Sequence, residues 1–206
     1  VSGLWNVVVV NPDGQSAVLP NAYSVVGALW ADALEPGAIG WTHNAATGTD
    51  GWTLSTAQSH SATHSFFAPA PAAKTDDFLF SPVISIPSGA TNLQLKFWHN
   101  YNFQSGRDGG VLEFSINGGT YFDVTSTGSG AAFASGGYTS TIANNGPVSG
   151  RSPLAGRSAW SGTSNGWTQV IVGLADAAKY AGKTLRIRWR LGTNNGTASP
   201  GWYVDD

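Results

Sequence analysis

The chain has 206 residues, a formal net charge of -2, 11% charged and 12% aromatic residues, 27 glycines and 9 tryptophans. This balance favours an all-β globular protein over a helical one, and it gives no support to nucleic-acid binding, which needs a clustered basic field. There are no cysteines, hence no disulfide framework and no thiolate chemistry, and no stretch approaches the roughly 20 apolar residues of a membrane helix.

Methionine is absent even at position 1, so the chain is expected to be a processed or excised piece with any signal peptide outside it. A lack of cysteine is compatible with a bacterial extracellular or cell-surface protein. Strands are expected at 4–10 and 15–19 around Asn11-Pro12-Asp13-Gly14, a strong turn signal, and again at 22–26. Helical periodicity is scarce: only 22–35 and 174–182 could hold a turn or two. Elsewhere short alternating runs lie between Gly, Pro, Asn and Ser clusters. They predict strands at 39–43, 51–55, 64–68, 76–86, 91–103, 109–117, 120–125, 136–142, 157–160, 166–173, 183–192 and 200–206, the mark of a sandwich or barrel. Residues 126–165, rich in Gly, Ser, Thr and Asn, read as a long loop of the kind that carries binding on a β scaffold.

Two resemblances follow from these residues. Val7-Val8-Val9-Val10-Asn11-Pro12-Asp13-Gly14-Gln15-Ser16 with Asn21-Ala22-Tyr23 resembles the C-terminal hairpin of an IPT/TIG domain, an immunoglobulin-like module of bacterial surface proteins. Residues 1–26 are therefore expected to be the end of such a domain. A longer series resembles the MAM-like or choice-of-anchor J modules found beside immune inhibitor A-like peptidases. It includes Trp41-Thr42, Gly51-Trp52, Phe80-Ser81-Pro82-Val83-Ile84, Leu95-Lys96-Phe97-Trp98-His99, Asp108-Gly109-Gly110-Val111-Leu112-Glu113, Arg186-Ile187-Arg188 and Gly201-Trp202-Tyr203-Val204-Asp205-Asp206. That resemblance implies a jelly-roll β-sandwich over 28–206, cut short at its C-terminus, often calcium-bearing, with an accessory role. Its usual acid after Gly192-Thr193 is replaced here by Asn194.

In a jelly roll the first and last strands tend to be neighbours, so Glu35 could meet Asp205 and Asp206 in a calcium site of six to eight oxygens. Ordinary surface acids fit the same pattern. Asp108 and Asp76-Asp77 read as turn residues bonding nearby backbone. Strand alternation puts Arg186, Arg188 and Arg190 on one face, and Lys96, Trp98 and Asn100 on another. If these strands share one sheet, Trp98, Asn100 and Arg188 would form a sugar platform, an aromatic ring among planar hydrogen-bonding groups. The alternative is a solvated face with cross-strand charge pairs such as Glu113 with an arginine. The pair His60 and His64 lacks the glutamate and helix of a zinc protease, and His99 reads as a core histidine. Gly162-Thr163-Ser164-Asn165-Gly166 has the letters of a nucleophile elbow without the strand before it and helix after it. No catalytic residues are expected. The expected function is a non-catalytic accessory or adhesion module with structural calcium as a candidate cofactor. A carbohydrate-binding module and the non-catalytic part of a secreted peptidase are the alternatives. Expected partners are neighbouring domains of the same polypeptide and a glycan or cell-surface ligand, without nucleic acid or a membrane span.

Overall fold

The structure, a computed structural model, describes residues 3–25, 28–35 and 37–206. It divides into two compact units, with the boundary between Ala31 and Asp32. The first holds an antiparallel hairpin, β1 (Gly3–Val10) and β2 (Ser16–Val25). Its turn closes through Gly14 N to Asn11 O (2.9 Å) and Asn11 N to Gln15 O (2.8 Å). The strands expected at 15–19 and 22–26 are one strand as far as Val25, and the pairing shifts register between Trp5 and Val7. Pro20 follows Leu19, the partner of Val7 at that shift, and it has no N–H to give to a ladder. Of the candidate helix 22–35, residues 22–25 are strand and 28–35 are not helical; residues 26 and 27 lie outside the described residues.

The second unit is an all-β jelly-roll sandwich. Its strands are β3 (Thr42–Thr47), β4 (Thr53–Ser55), β5 (Ser65–Ala70), β6 (Thr75–Phe80), β7 (Ile84–Ser85), β8 (Leu93–Asn102), β9 (Gly109–Ile116) and β10 (Phe122–Asp123). There follow β11 (Ala131–Ser135), β12 (Ser140–Thr141), β13 (Ser158–Ala159), β14 (Thr168–Leu174), the short helix α1 (Ala177–Tyr180), β15 (Thr184–Thr193) and β16 (Ser199–Asp205). One sheet runs β10-β9-β15-β6-β3 with β7 also on β15; the other runs β11-β14-β8-β16-β5-β4. The pairings are antiparallel, as alternating half-apolar strands joined by turns favour.

The sheets face each other across aromatic side chains. Leu185, Ile187, Trp189 and Leu191 of β15 are buried, and the Trp189 ring meets Phe97 of β8 edge-on at 5.4 Å. Trp202 of β16 is fully buried over Gly110 of β9, where a Cβ would run into the indole. His99 of β8 is also inside, its Nδ1 accepting from Trp202 Nε1 at 3.4 Å, and burial lowers its pKa to about 3.

The opposite face of β15 carries the expected cross-strand pair of Glu113 with an arginine, but packed where a solvated face was expected. Glu113 is 3% exposed and pairs in register with Arg188. It accepts from Arg188 Nε at 2.6 Å and Arg157 Nη1 at 2.7 Å. Burial alone would raise this carboxyl, but Arg188, Arg157 and Arg190 outweigh it and hold it below the usual range. Arg188 lies between the Phe78 and Tyr121 rings at 4.6 and 4.1 Å, and Arg190 grips Asp76 with two bonds of 2.7 and 2.9 Å. Asp76 and Asp77 are thus strand residues of β6 and not turn residues. The 126–165 segment is packed as well. It carries β11, β12 and β13, and sends Trp160, 1% exposed, among Tyr138, Phe133, His99 and Trp202.

Gly110→Ala is expected to overpack the Trp202 contact and cost about 1–3 kcal/mol, measured as a lower urea midpoint. An unfolded histidine titrates near 6.5 and folded His99 near 3, so the unfolded state takes up a proton between those values. Stability contributed by neutral His99 is therefore complete above pH 6.5 and lost as pH falls toward 3. From about pH 7 to about pH 4, His99→Phe should lose less stability than the wild type in parallel melts.

Candidate functional site

The pleat that buries Phe97, His99 and Tyr101 of β8 turns Trp98 and Asn100 outward. In β16 the buried Trp202 and Val204 likewise turn Tyr203 outward, and register sets Tyr203 beside Asn100 on one side and Phe67 of β5 on the other. Trp167, just before β14, joins them. Phe67 and Tyr203 rings are 4.4 Å apart, Tyr203 and Trp167 6.3 Å, Trp167 and His60 6.0 Å. The His60 imidazole lies flat on Trp98, at 3.8 Å and 11°. Phe67, Tyr203, Trp167 and Trp98 are all half-buried, so this row of rings is open to solvent. Asn100 stands within it, donating from Nδ2 to Gln58 Oε1 (3.0 Å) and accepting at Oδ1 from Ser164 Oγ (3.0 Å). Those bonds use one of its two donors and one of its two acceptor lone pairs.

The loop that lays His60 on Trp98 is held by the acids expected to bind calcium. Asp205, 1% exposed, accepts at Oδ2 from His60 N (2.7 Å) and Ser61 N (3.2 Å). Burial raises its carboxyl above the ordinary range, against those two bonds. Asp206 Oδ2 meets His60 Nδ1 at 2.6 Å, and its Oδ1 accepts from Ser61 Oγ. Glu35 accepts at Oε1 from Thr63 N (2.8 Å) and His64 N (2.9 Å), and at Oε2 from Thr63 Oγ1 (2.6 Å). The Thr63 hydroxyl, then the Thr63 and His64 backbone, lower Glu35 to about 2.

The structure therefore brings Glu35, Asp205 and Asp206 to one loop, 60–64. A calcium ion needs oxygens facing it, whereas these carboxylate oxygens face N–H and O–H donors, so the arrangement fits a loop clamp and does not fit a cation. Among the described residues no three His, Cys, Asp or Glu side chains are gathered as a metal site. His60 and His64 go to different acids, Asp206 and Glu35. Ser164 accepts from Tyr101 N at 2.9 Å and donates to Asn100, a bracing role for the platform.

One expectation is corrected. Trp98 and Asn100 do not share a sheet with Arg188: β8 pairs with β14 and β16, β15 with β9 and β6, and Arg188 is spent on Glu113. Alternation shows which residues share a face of one strand, but strand partners are chosen by the whole fold. Trp167, Tyr203, Phe67 and His60 were not foreseen as site residues. The alternation of Gly201-Trp202-Tyr203-Val204 held the signal for Tyr203; nothing local signalled His60.

No protein-family model and no curated protein matches the chain. Among solved structures it resembles the K2 cleaved adhesin domain of Lys-gingipain, at 18% identity and TM-score 0.45, covering 81% of this chain and 86% of that one. It also resembles a structure of carbohydrate-binding modules from the β-sandwich superfamily, at 11% identity and TM-score 0.42, covering 100% and 73%. A third is the K3 cleaved adhesin domain of Lys-gingipain from Porphyromonas gingivalis W83, at 15% identity and TM-score 0.37, covering 84% and 97%. Scores below 0.5 at these identities say nothing of ligand or role.

Asp205→Ala would leave the His60 and Ser61 N–H groups unpaired. It should cost about 1–3 kcal/mol in urea unfolding and speed proteolysis within 58–64, while Glu35→Gln, which keeps an acceptor, should cost less.

Proposed function

We propose that the chain is a non-catalytic binding module of a secreted or cell-surface bacterial protein, of the MAM-like or choice-of-anchor J kind, and that it binds carbohydrate on the outer face of the β8 sheet. The row of half-buried rings around Asn100 carries this reading. Phe67, Tyr203, Trp167 and Trp98 point away from the core that holds the sandwich together, and they cross four adjacent strands, or the end of one, β5, β16, β8 and β14. Sugar rings present apolar C–H faces with hydroxyls at their edges. Aromatic rings match the first and amides such as Asn100, Gln58 and Gln169 match the second.

Lys96, the outward residue of β8 next to Trp98, is an exposed cation on this face, so the face suits a neutral or an acidic glycan. Arg188 and its fellow arginines lie on the other sheet, and Asp205, Asp206 and Glu35 are engaged with the 60–64 loop. In this reading residues 1–26 are the end of an IPT/TIG-like neighbour, 28–206 is the binding sandwich, and its partners are further domains of the same polypeptide. Among the described residues no helix is long and apolar enough to cross a membrane.

Tyr203→Ala and Trp167→Ala should each weaken binding about three- to tenfold, as the loss of one ring stack predicts, with an unchanged circular dichroism spectrum. Affinity electrophoresis on soluble polysaccharides and a glycan array provide the measurement. A wild-type array without hits would end the proposal.

A further inference from the structure

At one end of the sandwich the turns from both sheets meet. The turn from β8 to β9 carries Gln104 and Asp108, tied together by Asp108 N to Gln104 O at 3.0 Å. The turn from β15 to β16 carries Asn194 through Thr197. Asp108 is 0% exposed, so it is no surface turn acid. Its Oδ1 accepts from Asn194 N at 2.7 Å, but its buried Oδ2 has no partner. Asn194 Oδ1 is also buried without a partner. A Cβ placed on Gly196 would collide with both Asn194 Oδ1 and Gln104 Oε1, so these two oxygens crowd the same point. Thr197 N approaches Gln104 Oε1 at a long 3.5 Å.

Buried acceptor oxygens without donors, here Asp108 Oδ2 and Asn194 Oδ1, are costly, most of all when one belongs to a carboxyl. Every other buried acid of the sandwich has its answer: Glu113 in arginines, Asp205 in backbone N–H groups, Asp77 in Gly51 N at 2.8 Å and Phe78 N at 3.0 Å. Asp108 has half of one, the Asn194 N–H on Oδ1 at 2.7 Å. A hard cation is the group that oxygens of this kind accommodate, a carboxylate supplemented by amide and backbone carbonyls. Asn194 also lines a cleft of about 350 Å³. The arginines of that cleft are turned to other oxygens, Arg107 to Asn145 and Arg151 to Gly146 O and Asn144.

We infer that Asp108 Oδ2, Asn194 Oδ1 and Gln104 Oε1 are ligands of a hard, oxygen-preferring cation, Ca2+ or Na+, that ties the β8–β9 turn to the β15–β16 turn. The cation belongs at this end of the sandwich and not at Glu35, Asp205 and Asp206, whose oxygens face donors. One carboxylate places it in the weak class of extracellular calcium sites, with dissociation constants of roughly 10^-4 to 10^-3 M.

The test is thermal unfolding of the whole chain after chelator treatment and desalting, with CaCl2, NaCl or choline chloride added at matched ionic strength. The wild type should gain several degrees with CaCl2 or NaCl over choline chloride, and whichever salt acts identifies the ion. Asp108→Asn and Asn194→Ala should both lose that gain, and Glu35→Gln should keep it. Asn194→Asp adds a second carboxylate and should shift half-saturation to cation concentrations about tenfold lower. A wild type that melts alike in all three salts overturns the inference, with the oxygens then matched by a shared proton or a turned amide. So does a gain that survives Asp108→Asn and Asn194→Ala, or one abolished by Glu35→Gln alone. Melting reads none of the glycan contacts, so this proposal and the sugar-binding one fail separately.

Discussion

The seat of Trp202 on Gly110 is the contact on which the rest of the sandwich depends. It brings the inner faces of the two sheets together at a point where only a residue without a side chain fits. Trp52, Trp160 and Phe103 then pack around the same indole at 5.6, 5.8 and 6.1 Å. Because successive side chains of a strand point to opposite faces, each inward aromatic also fixes what lies outside. Trp202 inside puts Tyr203 outside, and His99 inside puts Trp98 and Asn100 outside. The ring row is the reverse side of the core.

Scarce charges have individual roles. The arginines of β15 resemble a solvated face only in the linear sequence. In three dimensions Glu113 draws Arg188, Arg157 and Arg190 toward one carboxylate, under the rings of Phe78 and Tyr121. Removing one partner of such a group would strand charge in a dry place, so it specifies how the 126–165 segment, through Arg157, returns to the sheet. Asp205 of β16 holds the 60–64 loop through its backbone, and Asp206, just past the strand, holds it through the His60 and Ser61 side chains; by holding it they lay His60 on Trp98. The clamp and the platform are one construction.

Much of this was legible in the sequence. Composition and punctuation specified an all-β chain. Alternation specified which residues of β8 and β15 share a face, because the pleat has a period of two whatever the partner strand. Glu35 and the pair Asp205 and Asp206 hold the same loop, at residues 63–64 and 60–61, although the first and last strands of the sandwich lie in different sheets and are not neighbours. What those acids do there was not legible, because a carboxylate that meets N–H groups and one that meets a cation are the same letter.

Other features required the whole fold. Sheet membership separated Arg188 from Trp98, since strand pairing is chosen by long-range packing and not by local pattern. His60 entered the ring row from a loop whose position depends on residues about 145 positions away in the chain. The sequence by itself determined most of the strands and the faces of β8 and β15, which are local steric and hydrophobic properties, while β11 and the buried strand setting of Asp76 and Asp77 were not legible in it. Tertiary structure alone decided which faces meet, which acids are answered, and that Asp108 keeps one buried oxygen without a partner.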